Sequence, residues 1–245
     1  TLPDSVIPSA KLLPSTKALR EIHFPISQNA LTKSRHRMAF EELWFLMLTS
    51  LVIKHEIKTE TAPAVPFDVE SAKLFLSGLD FELTPAQKKA AWEIFQDLGR
   101  DQPMNRLLEG DVGSGKTVVA TMAAFLAMRS SYQAVLMVPT EILARQHAAK
   151  LTPLLAGLGL DTVVVLGKQT AAERKAAVAR IAQGGPMLII GTQALLCDSI
   201  NRPNLRLVIL DEQNRFGVGQ RESLQAKAGR LPHLRSMTAP TLPQT

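Results

Sequence analysis

The residues from Gly110 to Thr117 restrict the fold of this chain more than any other feature. They read Gly-Asp-Val-Gly-Ser-Gly-Lys-Thr, which matches the pattern G-x-x-x-x-G-K-[ST] in full. A predicted strand, Arg106–Glu109, comes before them, and a predicted helix, Thr117–Met128, comes after. Glycines allow backbone angles and close approaches that a β-carbon would block, so successive N–H groups can face a bound anion. The sequence therefore predicts a strand–loop–helix unit that holds phosphate groups.

The same loop gives each of its polar residues a role. Lys116 is expected to reach the β- and γ-phosphates of ATP, and the Thr117 hydroxyl is expected to be a ligand of Mg²⁺. The N-terminus of the helix adds unpaired N–H donors and a dipole that favours negative charge. The alternative, a glycine-rich turn with an incidental lysine, is disfavoured because the match is complete. The predicted nucleotide-binding residues here are Gly110, Gly113, Ser114, Gly115, Lys116 and Thr117.

Strands and helices alternate after Pro66. Most of the predicted strands are short, continuous apolar runs, as expected for strands buried on both faces of a parallel sheet. The sequence thus predicts an α/β fold with a doubly wound, mostly parallel sheet, in which ligands bind at the carboxyl ends of the strands. The candidate strands are Arg106–Glu109, Ala134–Val138, Thr162–Leu166, Met187–Ile190, Leu205–Leu210 and Ser236–Thr238, and the candidate helices include Thr117–Met128, Glu141–Leu155 and Ala171–Ala182.

Two carboxylates follow one of these strands. The apolar run 208–210 leads directly into Asp211 and Glu212. Asp211 is suited to the coordination shell of Mg²⁺, and Glu212 to positioning or deprotonating the attacking water. Such a pair is a weak signal alone, but the glycine loop upstream favours a catalytic role over a solvated loop end. Lys116, Asp211 and Glu212 are the predicted catalytic residues.

The segment Phe81–Gln87 lies upstream of the glycine loop and leads into another predicted helix. It has two interpretations. In the first, Thr84 caps the helix, Pro85 takes its first position and Gln87 closes a capping box. In the second, the Gln87 amide pairs with the edge of adenine. One side chain is not expected to do both at once, and the residues alone leave the two interpretations even.

The first 66 residues have a different character. Residues 1–30 are rich in Pro and Ser, which predicts an extended connector. A helix is predicted from Ala30 to about Glu56, with apolar residues on one face. We therefore expect a connector over 1–66 and a nucleotide-binding lobe over 67–245. The helix begins with Lys33, Arg35, His36 and Arg37, for which a solvated helix end is favoured over a contact with DNA phosphates.

Charge and composition limit the class of protein. The formal net charge is +6, which fits a polyanionic partner but is spread along the chain. Cys197 is the only cysteine and is expected to be a small core residue. The most apolar run, 43–53, is too short to span a bilayer, and no secretory signal opens the sequence, so an intracellular protein without a membrane partner is expected. The chain begins at Thr1, which indicates a piece of a longer product.

Taken together, these motifs resemble those of superfamily 2 helicases, and more closely those of the RecG-type branched-DNA helicases. The resemblance covers essentially the whole chain. Its most specific stretches are 103–117, 138–144 with Gln146 and His147, and 211–218, and the upstream segments 23–25 and 38–42 also fit. Transcription-repair coupling translocases share the motor motifs but not this upstream part, and they are the alternative within the class.

The resemblance implies an ATP-dependent DNA helicase that acts in replication-fork repair and DNA recombination. ATP and Mg²⁺ are the implied cofactors, branched or forked DNA is the partner, and the location is cytoplasmic and nucleoid-associated. Gln87 would belong to the adenine-sensing motif of the family. Pro139, Thr140, Gly191 and Thr192 would contact the DNA backbone, and their places after strands suit phosphate binding.

Several positions depart from the family pattern. Asn214 stands where the family has histidine, Gln193 also replaces a histidine, and the terminal motif 238–245 is altered. A helicase motor also needs a second RecA-like lobe to close over ATP, which the sequence lacks, so the isolated chain is expected to be poorly active. The competing hypothesis is a decayed or truncated, non-catalytic nucleotide- or DNA-binding relative. A small-molecule kinase would not explain Gln87.

Overall fold

The computed structural model describes residues 2–59, 61–197, 200–211 and 233–238. Contacts between Cα atoms divide the chain into two compact units, Thr1–Thr59 and Glu60–Thr245. No helix in the described ranges combines the length and the hydropathy that crossing a bilayer requires.

The first unit is helical throughout much of its length. It contains α1 (Val6–Ser9), α2 (Ser15–His23) and the long α3 (Gln28–Thr59). The prediction of an extended connector over residues 1–30 was therefore wrong, because α2 is a regular helix that packs against α3. The predicted helix in 30–56 is confirmed with slightly wider bounds. Many of its apolar side chains, including Leu43, Met47 and Leu51, are exposed.

The basic residues at the start of α3 were expected to be solvated, but Arg37 is buried. Its side chain is only 1% exposed. Its Nε donates to the Leu13 carbonyl oxygen at 2.9 Å, and its Nη1 donates to Glu41. A buried guanidinium needs such partners, because an unpaired buried charge is costly. Arg37 therefore ties the start of α3 to the chain before α2.

The second unit is built on one six-stranded parallel sheet. Its strands are β1 (Asn105–Glu109), β2 (Gln133–Met137), β3 (Asp161–Val165), β4 (Met187–Gly191), β5 (Leu205–Asp211) and β6 (His233–Thr238). The strand order is β1-β6-β5-β2-β4-β3. Its helices are α4 (Val69–Ser77), α5 (Pro85–Leu98), α6 (Lys116–Arg129), α7 (Glu141–Gly157) and α8 (Ala171–Ala182), with a short 3₁₀-helix, Gln193–Leu196. The predicted doubly wound α/β fold is confirmed.

Both faces of the sheet are covered by apolar cores. Because successive side chains of a strand point to opposite faces, alternate residues of one strand belong to different cores. In β5, Leu207 and Ile209 belong to the core that contains α4, α5 and α6, whereas Val208 and Leu210 belong to the core on the opposite face. Helix α6 is apolar on all sides and is buried from Val119 to Met128. It is the central helix of the larger core.

Residues 61–66, the last part of the predicted connector, pack within the second unit. The Ala62 N–H donates to Asp101, and the Val65 N–H donates to Leu98, each at 2.8 Å. His233 of β6 adds a third attachment, because its Nδ1 accepts from the Met104 N–H and its Nε2 lies 3.3 Å from the Pro63 carbonyl oxygen. Burial lowers the pKa of the His233 imidazole below its ordinary value, which favours the neutral ring that this pair of contacts needs.

Cys197 does not have the predicted place in the core. It follows the 3₁₀-helix, and its side chain is exposed. The apolar residues before it misled the prediction, because the chain turns out of the sheet after Gly191.

Candidate functional site

The glycine-rich segment Gly110–Thr117, here called the phosphate loop, joins the end of β1 to the start of α6, as the sequence predicts. Gly113 and Gly115 have φ angles of +80° and +81°, in the left-handed region that favours glycine. Gly115 is the N-cap of α6, so the first helical N–H groups face the loop. Lys116 folds back over the loop, and its Nζ donates to the carbonyl oxygens of Gly110 and Asp111 at 2.6 and 2.7 Å.

Gln87 holds this loop from the side, and it also caps its own helix. Its Oε1 accepts from the Thr84 N–H at 2.8 Å, which closes the capping box of α5. Its Nε2 donates to the Ser114 carbonyl oxygen at 2.9 Å. The capping interpretation is confirmed, and the amide nitrogen has a partner in the loop that neither interpretation included, since the oxygen and the nitrogen of an amide can have separate partners. The contact with adenine stays a prediction.

An ion cluster fixes α5, which carries Gln87, against the strand that leads into the loop. Arg106 of β1 donates from Nε to Asp97 and from Nη1 to Glu93, both at 2.7 Å. The guanidinium suits this place because its planar fork can serve two carboxylates at once. The relative position of Gln87 and the loop thus depends on more than the one amide contact.

Alanine at Gly115 is expected to be more damaging than alanine at Gly113. At both positions the left-handed conformation costs a non-glycine residue roughly 1–2 kcal/mol. At Gly115 the added β-carbon would also lie 2.2 Å from Gln87 Nε2, whereas at Gly113 it would meet nothing within 4 Å. We expect both variants to lower the unfolding temperature measured without nucleotide, and Gly115→Ala to lower it more. Equal shifts would contradict the contact between Gln87 and the loop.

A cavity of about 860 Å³ opens beside the loop. This volume is in the range of small-molecule binding sites. The wall includes the segment before α5, the phosphate loop and one side of α7; its lining residues include Leu79, Phe81, Gly113, Lys116, Thr117 and His147. Phe81 is 48% exposed, so part of its ring is open to a ligand.

Asp211 is the last residue of β5 and has a partner that the sequence did not identify. The Nε2 atom of His147, on α7, lies 3.1 Å from the Asp211 Oδ2 atom. The two side chains are 15% and 18% exposed. Their separation of 64 residues hides this contact from any local pattern. Glu212, the second predicted catalytic carboxylate, and Asn214, which departs from the family pattern, lie outside the described residues. The part of the altered terminal motif after Thr238 also lies outside them.

The oxygen donors here suit a magnesium ion. Thr117 offers a hydroxyl and Asp211 a carboxylate, and Mg²⁺ prefers a small number of protein oxygens together with nucleotide phosphates and water. Thr117 lines the cavity directly. Asp211 contacts His147, which lines the same cavity.

The predicted DNA-contacting residues come together at one edge of the sheet. Strands β2 and β4 are parallel neighbours with Met137 paired to Gly191, so the segments that follow them lie side by side. The hydroxyl of Thr140 accepts from the Leu143 N–H and caps α7; that of Thr192 accepts from the Ala194 N–H. Pro139 directly precedes the first cap, and Gln193, which is exposed, begins the 3₁₀-helix.

Gly191 has a structural reason to be glycine. A β-carbon there would lie 2.4 Å from the Val165 carbonyl oxygen of the neighbouring strand β3. The close approach of the two backbones excludes any side chain at this position. Whether its backbone also contacts DNA stays a prediction.

Comparison with known proteins places this site in a family. Residues 84–244 match the DEAD/DEAH box helicase family. The ATP-dependent DNA helicase RecG of Aquifex aeolicus is 41% identical over 251 residues, which cover 100% of this chain and 32% of that protein. The RecG of Streptococcus pneumoniae is 42% identical over 245 residues, which cover 100% of this chain and 36% of that protein.

A solved structure gives the same result. The structure of RecG bound to a three-way DNA junction aligns with a TM-score of 0.87 at 35% identity, over 100% of this chain and 33% of that one. The chain spans about a third of the length of the curated relatives it matches. The matched residues include the phosphate loop, Asp211 and both strand-end segments. The chain belongs to the DEAD/DEAH box helicase family.

Proposed function

We propose that the second unit is the ATP-binding motor lobe of a RecG-like, ATP-dependent DNA helicase. The observation that carries the proposal is the shared cavity, in which Lys116 and Thr117 of the phosphate loop and His147, the partner of Asp211, take part. A cavity with the phosphate loop at a helix N-terminus and a carboxylate at the end of a nearby strand fits a nucleoside triphosphate with its metal ion.

In this proposal each residue binds a different part of ATP. Backbone N–H groups from Gly113 to Thr117 surround the phosphates, and Lys116 exchanges its two carbonyl partners for phosphate oxygens. Mg²⁺, held by Thr117 and Asp211, would neutralise charge on the phosphates when bound. Phe81 offers its exposed ring face to the base, and Glu212 orients the attacking water.

The proposed DNA surface is the strand edge formed by Pro139, Thr140, Gly191 and Thr192. The backbone N–H groups that begin α7 and the 3₁₀-helix suit DNA phosphates, which position a duplex without reading its sequence. Branched or forked DNA is the proposed substrate of the full-length protein, in replication-fork repair and recombination. We place that protein in the cytoplasm, associated with the nucleoid, and we propose that a second RecA-like lobe closes over the ATP.

Replacing Lys116 with alanine tests the phosphate site. A charged hydrogen bond contributes about 1.5–3 kcal/mol, so we expect the affinity for a fluorescent ATP analogue with Mg²⁺ to fall by about tenfold to a hundredfold. Lys175→Ala removes the same charge from the exposed surface of α8 and is the matched control, with affinity close to wild type. Equal affinity of wild type and Lys116→Ala would refute the assignment.

A further inference from the structure

His147 contacts Asp211, the side chain that is the magnesium ligand in the proposed function. It lies on α7, and its Nε2 atom is 3.1 Å from the Oδ2 atom of Asp211. Both side chains are largely buried, with exposures of 15% and 18%. Water competes weakly for a hydrogen bond that is shielded to this degree, so the contact is stronger than one at the surface.

The chemistry of the two groups fixes the direction of the hydrogen bond. An ionised carboxylate only accepts hydrogen bonds, so the ring nitrogen that faces it must carry a hydrogen. The Nε2–H of His147 therefore donates to Oδ2. The terminal torsion of an aspartate has a broad energy profile, and a fixed donor on one oxygen restricts its rotation. Oδ1 keeps its lone pairs for another partner.

The fold explains how the two residues meet. Strands β2 and β5 are parallel neighbours, with Met137 paired to Leu210, so both end at the same edge of the sheet. Asp211 ends β5, whereas α7 begins at Glu141, shortly after β2. About two turns later in α7, His147 reaches the end of the adjacent strand. The contact thus joins the helix that Thr140 caps to the last residue of β5.

We propose that His147 is a positioning residue whose Nε2–H holds the Asp211 carboxylate in the orientation that binds the magnesium–nucleotide complex. This inference rests on the proposed function, because it takes Asp211 to be the metal ligand. Residues that hydrogen-bond metal ligands commonly change metal affinity by about tenfold to a hundredfold when they are removed. His147 orients the ligand and does not itself touch the ion.

The test compares two amides of different length at this position. In His147→Gln, the amide nitrogen is as many bonds from the backbone as Nε2, so it can donate to Oδ2. In His147→Asn, the same group is one bond too short. Binding of a fluorescent ATP analogue is measured across a Mg²⁺ titration. We expect His147→Asn to raise the Mg²⁺ concentration for half-maximal binding by about tenfold, and His147→Gln to stay close to wild type.

Two further measurements separate the possible outcomes. Binding of the analogue in EDTA, together with the unfolding temperature, is expected to be the same in both variants, because the phosphate loop is unchanged. Asp211→Asn is expected to raise the Mg²⁺ requirement by itself. If it does not, the metal assignment in the proposed function fails.

The inference about His147 fails separately. It is overturned if Asp211→Asn raises the Mg²⁺ requirement while His147→Asn leaves it unchanged. It is also overturned if His147→Gln and His147→Asn behave alike, since the side chain would then act only through packing. A lower Mg²⁺ requirement in His147→Asn would show that the imidazole competes with the ion, which again contradicts positioning.

Discussion

Replacing Phe125 with alanine is expected to lower the free energy of unfolding by about 3–5 kcal/mol, because a large buried ring is removed from a core that cannot fully close over the gap. Phe125 is on α6, the central helix of the larger core, and is 0% exposed. Its ring centroid is 5.4 Å from that of Phe75 on α4, so the substitution also removes an aromatic contact. A loss of this size is a large fraction of the stability of an ordinary domain.

Urea unfolding followed by circular dichroism measures the effect of Phe125→Ala. Phe81→Ala is the matched control, because the same atoms are removed from a side chain that is 48% exposed. We expect the control to cost less than about 1 kcal/mol. Similar losses in the two variants would show that α6 is not the centre of the core.

A polypeptide of residues 1–245 is expected to hydrolyse ATP about 10³–10⁵-fold more slowly than a two-lobed helicase. The transition state for phosphoryl transfer gathers negative charge, and an arginine from a facing surface commonly neutralises it. Among the described residues that line the cavity there is no arginine, and the lysines are Lys116 and Lys150. Under the proposed function, the lobe would bind nucleotide without having the complete set of catalytic groups.

Release of phosphate, measured with and without branched DNA, tests this expectation. The full-length RecG of Aquifex aeolicus is a suitable positive control. Lys116→Ala gives the background rate. Turnover by the isolated polypeptide that approaches the positive control, or strong stimulation by branched DNA, would show that a second lobe is not needed.

The parts of the fold that the sequence predicted well are those with a strong local pattern. Strands β2 and β4 were placed to within one residue, because each is a continuous apolar run between polar segments. Strand β6 was predicted to begin at Ser236 but begins at His233, since a buried histidine and an arginine interrupt its apolar pattern. Helix α2 was missed, because a nine-residue helix depends on tertiary packing more than on its own residues.

The candidate site divides in the same way. The loop from Gly110 to Thr117 could be predicted because every one of its residues is local to one turn. The contact between His147 and Asp211, and the contact of Gln87 with Ser114, join residues 64 and 27 positions apart. Contacts at such separations depend on the order of strands in the sheet, which a single sequence does not state.

The position of β6 has a consequence for the synthesis of the protein on the ribosome. In the described sheet β6 lies between β1 and β5, so β1 pairs with a strand that is made much later. The Met104 N–H, directly before β1, donates to His233, which is synthesised 129 residues later. At elongation rates of roughly 5–20 residues per second, that interval is about 6–26 seconds. Throughout it the nascent chain carries the phosphate loop behind a strand whose neighbour in the described sheet has not yet been made, so the loop gains its full support only after β6 is synthesised.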